Sequence, residues 1–139
     1  MLYVTSSDPR IKVNNTDPSA LSFDTNSGVL SRLTWNGASW DKADLVRGLP
    51  RSEENHASNG RALDELTNTL YLIQGGHTNM GAASTNFSRL AEYALSAALL
   101  TIDLDAIGST TYDLPTLDDE DRPGVTDAGD PFGGNDGKS

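Results

Sequence analysis

The run Leu70-Tyr71-Leu72-Ile73-Gln74-Gly75, followed across a polar stretch by Ala98-Leu99-Leu100-Thr101-Ile102-Asp103-Leu104, restates a layout found earlier in the chain. There, Leu2-Tyr3-Val4-Thr5-Ser6-Ser7 precedes a polar loop and then Gly28-Val29-Leu30-Ser31-Arg32-Leu33-Thr34. Tyr3 to Tyr71 is a step of 68 residues, and Leu30 to Leu99 is a step of 69. Two segment types recurring in one order at nearly one offset point to an internal repeat.

Working outward, each repeat fills in as an antiparallel meander. Leu30 to Trp35 and Trp40 to Val46 flank Asn36-Gly37-Ala38-Ser39, and Asn-Gly between strand-like runs is a hairpin signal because both residues tolerate positive φ. Gly60 to Asp64 and Thr69 to Gln74 flank the turn-like Glu65-Leu66-Thr67-Asn68. Thr101 to Leu104 and Thr111 to Leu114 flank a third loop, containing Gly108. The expected fold is therefore all-β: about two four-stranded antiparallel blades of a β-propeller over residues 1–114, with long loops, since blade units of about 40–50 residues lengthen when loops are inserted. Phe87, Leu90, Ala91, Ala94, Leu95 and Ala98 keep a helical spacing, so a short helix is expected there, giving way to a strand from about Ala97. Residues 115–139 are acidic and rich in Gly and Pro, and read as a loop leading to a next, absent blade.

Two blades do not close a propeller, which takes about four to eight. Left alone they would expose two sheet faces, so marginal stability in isolation is expected. Met1 runs straight into the first strand with no signal peptide, and the chain stops within Gly133-Gly134-Asn135-Asp136-Gly137. Both features read as a fragment of a larger secreted protein, extracellular or periplasmic.

Composition narrows the partners. The formal charge is −10, and nucleic-acid binding rests on basic residues that here are outnumbered two to one. The same imbalance disfavours anionic membrane surfaces, and no apolar run approaches the roughly 18–20 residues that span a bilayer. Hydrophobic residues make up 36%, below the roughly 45–50% of an average globular chain, which favours short strands and long turns over helix bundles. With no cysteine, disulfides and thiolate metal sites are excluded.

Chemistry is sought in the loops. His56 follows Glu53-Glu54-Asn55 in a polar loop that enters a strand. An imidazole with its ordinary pKa of about 6.5 suits proton abstraction at neutral pH, whereas the plainer reading is a surface or hydrogen-bonded structural histidine. His77, in Gly75-Gly76-His77-Thr78-Asn79, has the same two readings. Asp118, Asp119 and Asp121 lie in the acidic stretch with Glu120, Asp127, Asp130 and Asp136; these are hard oxygen donors of the kind Ca²⁺ accepts, but without EF-hand spacing, and a solvated loop is the alternative. Trp35 and Trp40 flank the hairpin turn, placed either for cross-strand packing or for stacking on sugar.

The ordered series NHASNGRALDELTNTLYLIQGGHTN, AALLTIDLDAIG and DPFGG resembles the glucose/sorbosone dehydrogenase family, whose members include the soluble quinoprotein glucose dehydrogenases. The correspondence runs through His56, Gly60, Leu63, Leu70-Tyr71, Gly75, Leu100 to Asp103 and Asp130-Pro131-Phe132. The resemblance implies a six-bladed propeller with pyrroloquinoline quinone and Ca²⁺ at its central tunnel, and it places His56 as the base that takes the substrate's hydroxyl proton while hydride passes to the quinone. Asn55 and Asn79 become candidates for binding the sugar or polyol. The glucose dehydrogenases carry Asp before this histidine where this chain has Asn55, a departure that changes the substrate expected. The family's cofactor-contacting basic residues and Ca²⁺ ligands correspond to positions past Ser139, so the chain by itself is expected to be inactive. The competing expectation is a non-catalytic propeller module of a large secreted bacterial protein, offering a carbohydrate- or protein-binding platform.

Overall fold

Side chains alternate across a strand, so Leu70, Leu72 and Gln74 must face one way while Tyr71 and Ile73 face the other. The computed structural model describes residues 1–7, 27–51, 56–82 and 95–114, and in it the chain forms β1 (Leu2–Ser6), β2 (Gly28–Trp35), β3 (Trp40–Leu49), β4 (Ser58–Asp64), β5 (Thr69–Gln74), β6 (Leu99–Asp103), α1 (Leu104–Ile107) and β7 (Tyr112–Asp113). The all-β expectation holds. No helix among the described residues is long and apolar enough to cross a membrane. The acidic stretch 115–139, with Asp118, Asp119 and Asp121, lies outside the described residues, as do Asn55 and most of the segment expected to be helical.

Two sheets form, one in the order β1-β2-β3-β7 and one in the order β4-β5-β6. The hairpin β2–β3 closes on the expected turn, but only Gly37 takes positive φ, at 102°. Asn36 acts through its side chain instead, its Oδ1 accepting from the backbone N–H of Ala38 and of Ser39 at 3.0 and 2.8 Å. Two bulges explain why burial in β3 does not alternate. The pairing skips Leu45 and Gly48, so that Leu45 and Val46 are both buried; Gly48 absorbs its bulge at φ 92°.

Two details differ from the sequence reading. A helical turn that the sequence reading did not include lies at Leu104–Ile107, where Asp103 Oδ1 accepts from the backbone N–H of Asp105 and Ala106 and so ends the strand one residue early. The last strand does not pair back on β6. It crosses to the other sheet and runs parallel to β3, Val46 opposite Tyr112 and Arg47 opposite Asp113. The sheets thus have four and three strands, and the four-stranded one is mixed rather than antiparallel throughout.

The crossing is secured by a bidentate pair, Arg47 Nε and Nη2 donating to Asp113 Oδ1 and Oδ2 at 2.6 and 2.7 Å. These hydrogen bonds hold the Asp113 carboxyl below its ordinary value. A carboxyl depressed on folding stabilises above the unfolded pKa of about 3.9, and that contribution is lost as pH falls through the folded value. Both side chains are nearly half exposed, so the global effect is small and the local one is the measurable quantity. The amide of Leu114 donates to Arg47 O at 2.9 Å, and its hydrogen exchange, corrected for intrinsic rate, is expected to quicken below about pH 4. Asp113→Asn should produce that quickening already at neutral pH.

The two sheets share one core. Leu30, Leu45, Val46 and Leu49 of the first meet Leu70, Leu72 and Ile102 of the second, with Leu104 of α1. Polar contacts stitch its margins. Thr5 Oγ1 donates to Ser58 O at 3.3 Å, Arg61 Nε to Tyr3 O at 2.9 Å, and Arg32 Nη1 to Gly108 O at 2.9 Å.

The internal repeat is present in the pairing itself. β1 meets β2 as Leu2↔Leu33, Tyr3↔Arg32, Val4↔Ser31 and Thr5↔Leu30. Adding 68 to the β1 numbers and 69 to the β2 numbers yields Leu70↔Ile102, Tyr71↔Thr101, Leu72↔Leu100 and Ile73↔Leu99, which are the observed pairs of β5 with β6.

Candidate functional site

The site candidates gather where two loops leave the second sheet at the same end. β5 ends at Gln74, and the chain continues through Gly75-Gly76-His77-Thr78-Asn79; His56 enters β4 from the opposite direction. Antiparallel pairing of β4 with β5 therefore brings residues about twenty apart in sequence side by side. Gly75 donates its N–H to Ala57 O at 2.9 Å and continues the ladder one step past the strands.

His56 is partly buried and its Nδ1 lies 2.8 Å from Gly76 O. A carbonyl only accepts, so Nδ1 carries the proton and donates, which puts the lone pair of the neutral ring on Nε2. This hydrogen bond orients the imidazole through the backbone. A Cβ on Gly75 would sit 3.1 Å from both Cα and C of His56. Gly75→Ala is accordingly expected to push the His56 backbone aside and break the Nδ1 contact, seen as a changed His56 ring resonance in an otherwise folded chain.

The remaining candidates are placed differently. His77 is fully buried. Asn79 is exposed at the start of a tight turn, exchanging backbone hydrogen bonds with Ala82 at 2.9 and 3.0 Å while Met80 and Gly81 take φ of 50° and 84°. It stands three residues beyond the carbonyl that holds His56, at the same end of the sheet. Among the described residues no group of three or more His, Asp or Glu side chains gathers in a way that would hold a metal ion. Trp35 and Trp40 pack directly across the hairpin, ring centroids 5.4 Å apart and planes tilted by 60°, and each remains about half exposed. A separate apolar cleft of 590 Å³ opens between β3, β6 and β7, lined among others by Val46, Leu49, Leu100, Ile107 and Leu114; His56 is not part of its wall.

Gln74 was not legible as important from sequence, where it is merely the polar end of a strand. It is buried, with Nε2 donating to Pro50 O and Oε1 accepting from Ser58 Oγ at 2.7 Å. It thereby ties the end of β3, the start of β4 and the end of β5 together, and fixes both ends of the loop that carries His56. Nearby, the buried Arg51 donates through Nη1 to Ser7 Oγ. Gln74→Leu leaves the Pro50 carbonyl and the Ser58 hydroxyl unpaired, each costing about 1–3 kcal/mol. A fall of that size in urea-unfolding free energy is the expected outcome, and an unchanged midpoint would contradict the bridging role.

Compared with known proteins, the chain has no match to any family model, to any curated protein or to any solved structure.

Proposed function

We propose that the two sheets are neighbouring blades of a glucose/sorbosone dehydrogenase-like propeller, and that His56 serves there as the general base in quinone-dependent oxidation of a sugar or related alcohol. The observation that carries this reading is the His56 Nδ1–Gly76 O hydrogen bond at 2.8 Å, which aims a base-competent nitrogen from a loop on a rigid sheet edge. In the reaction, Nε2 takes the hydroxyl proton as the carbinol carbon releases hydride. A bound pyrroloquinoline quinone with Ca²⁺ would supply the hydride acceptor; no described residue is assigned to hold either. Exposed Asn79 at the same end of the sheet, with Asn55 beside His56 in the sequence, is available to hold the remaining hydroxyls. The setting is extracellular or periplasmic.

The test is dye-coupled oxidation of a panel of sugars and polyols by the complete propeller, reconstituted with the quinone and Ca²⁺. Two blades alone do not close a propeller around a tunnel, so residues 1–139 by themselves are expected to turn over none of them. Absence of quinone binding and of turnover in the complete propeller would end the enzymatic reading.

The half-exposed Trp35–Trp40 pair favours a second reading, a carbohydrate-binding platform without catalysis. Calorimetric titration with oligosaccharides separates the two. Under this reading the heat of binding disappears in Trp35→Ala and Trp40→Ala and is indifferent to His56.

A further inference from the structure

Arg51 holds a buried positive charge that no described carboxylate meets. The residue is only 6% exposed, and a guanidinium is a permanent cation, costly to bury unless an anion compensates it. Among the described residues its one hydrogen-bond partner is neutral: Nη1 donates to Ser7 Oγ at 2.5 Å, while the buried Nε has no partner. Ser7 thus leaves the Nε–Nη2 edge, whose two parallel N–H groups match the two oxygens of a carboxylate. The chain shows that grip filled elsewhere, where the same edge of Arg47 holds both oxygens of Asp113. The described aspartates are engaged away from Arg51, Asp44 with Ser31 and Lys42, Asp64 with Thr67, and Asp105 with Asn68.

Its place in the fold ties this edge to the candidate site. β1 and β3 both run antiparallel to β2, so Ser7 and Arg51 follow strands that leave the first sheet at one end. Gln74 joins that end to the second sheet, its amide bonding Pro50 O, one residue before Arg51, and Ser58 Oγ, two residues past His56. Arg51 and His56 therefore belong to one loop, with its two ends pinned by a single side chain.

We propose that the Nε–Nη2 edge of Arg51 takes the carboxylate of a small polyhydroxy acid, such as an aldonate, at the loop end that carries His56. The fork selects the carboxylate, and the polar loop end with exposed Asn79 suits the hydroxyls. That such an acid is the substrate rests on the proposed oxidation; that it binds does not.

Calorimetric titration of residues 1–139, without quinone, with D-gluconate and with its uncharged counterpart sorbitol tests the proposal. Gluconate is expected to bind at least about tenfold more tightly, as a charge-assisted bidentate pair should, and Arg51→Met to abolish the difference. Urea unfolding gives a second readout. An uncompensated buried cation weakens the unliganded fold, so Arg51→Met, similar in length and uncharged, should keep or raise the midpoint, and gluconate should raise it in the wild type alone. Absence of gluconate binding, equal affinity for the two probes, or a variant that keeps the wild-type preference overturns the proposal. So does a fall in the midpoint of unliganded Arg51→Met, which would mark an ion pair within the chain, Glu53 and Glu54 being the acids nearest in sequence. The enzymatic reading fails separately: gluconate held through Arg51 but not oxidised by the complete propeller removes the substrate role and leaves the binding site. Sugar oxidation that Arg51→Met does not alter, with no gluconate bound, removes the site and leaves His56 as the base.

Discussion

Leu72→Ala is expected to leave the chain largely unfolded. Leu72 is completely buried at the centre of β5, between Arg61 of β4 and Leu100 of β6, and it faces the first sheet across the shared core. Truncating a buried leucine removes its transfer free energy and leaves a cavity, a loss of about 2–5 kcal/mol. Small domains have only about 5–15 kcal/mol to lose. This one belongs near the bottom of that range, because among the described residues its core cluster comprises eight buried hydrophobic residues. The internal control is the next residue. Ile73 is more than half exposed on the opposite side of the same strand, and Ile73→Ala should stay within about 0.5 kcal/mol. Urea unfolding followed by circular dichroism gives both values. Equal losses at 72 and 73 would contradict the assignment of faces on which the sheet packing depends.

The second large effect concerns chemistry. His56→Ala in the complete, quinone-loaded propeller is expected to lower kcat by about 10²–10⁴, the contribution of a positioned general base. The fold should tolerate the change, since the ring is only partly buried and its hydrogen bond to Gly76 O is worth about 1 kcal/mol. On the proposed mechanism quinone affinity should be unchanged, because the lost group would handle only the substrate's proton. A purely structural histidine would give the opposite pattern, with lowered stability and full activity per folded molecule. Gly75→Ala lies between these extremes: it keeps the imidazole and displaces its backbone, so it should reduce kcat less than removal does.

How far the sequence could be read differs from element to element. The strands around Leu30, Leu70 and Leu99 were legible because a period of two, short apolar runs and a repeated offset coincide there, and the pairing reproduces that offset residue for residue. β7 was not legible as the partner of β3, for a short Tyr112–Asp113 strand carries no periodicity, and its pairing depends on Arg47, far away in sequence. The helical turn at Leu104–Ile107 was hidden because Asp103 reads equally well as the end of a strand and as a helix cap. Near the site, residue type and setting offered both His56 and His77, and only the family resemblance set His56 apart as the base. Burial separates them: one is partly open and oriented by a carbonyl, the other enclosed.

Taken by itself, the sequence determined the β character of the chain, the position of the β2–β3 and β4–β5 hairpins and the existence of a repeat. These follow from local alternation and turn chemistry, which need no distant partner. Which side of each sheet is core, where the last strand goes, and that Gln74 locks the loop bearing His56 were decided only by tertiary structure. Those outcomes depend on contacts between residues tens of positions apart, and the energy of such a contact is written in neither residue alone.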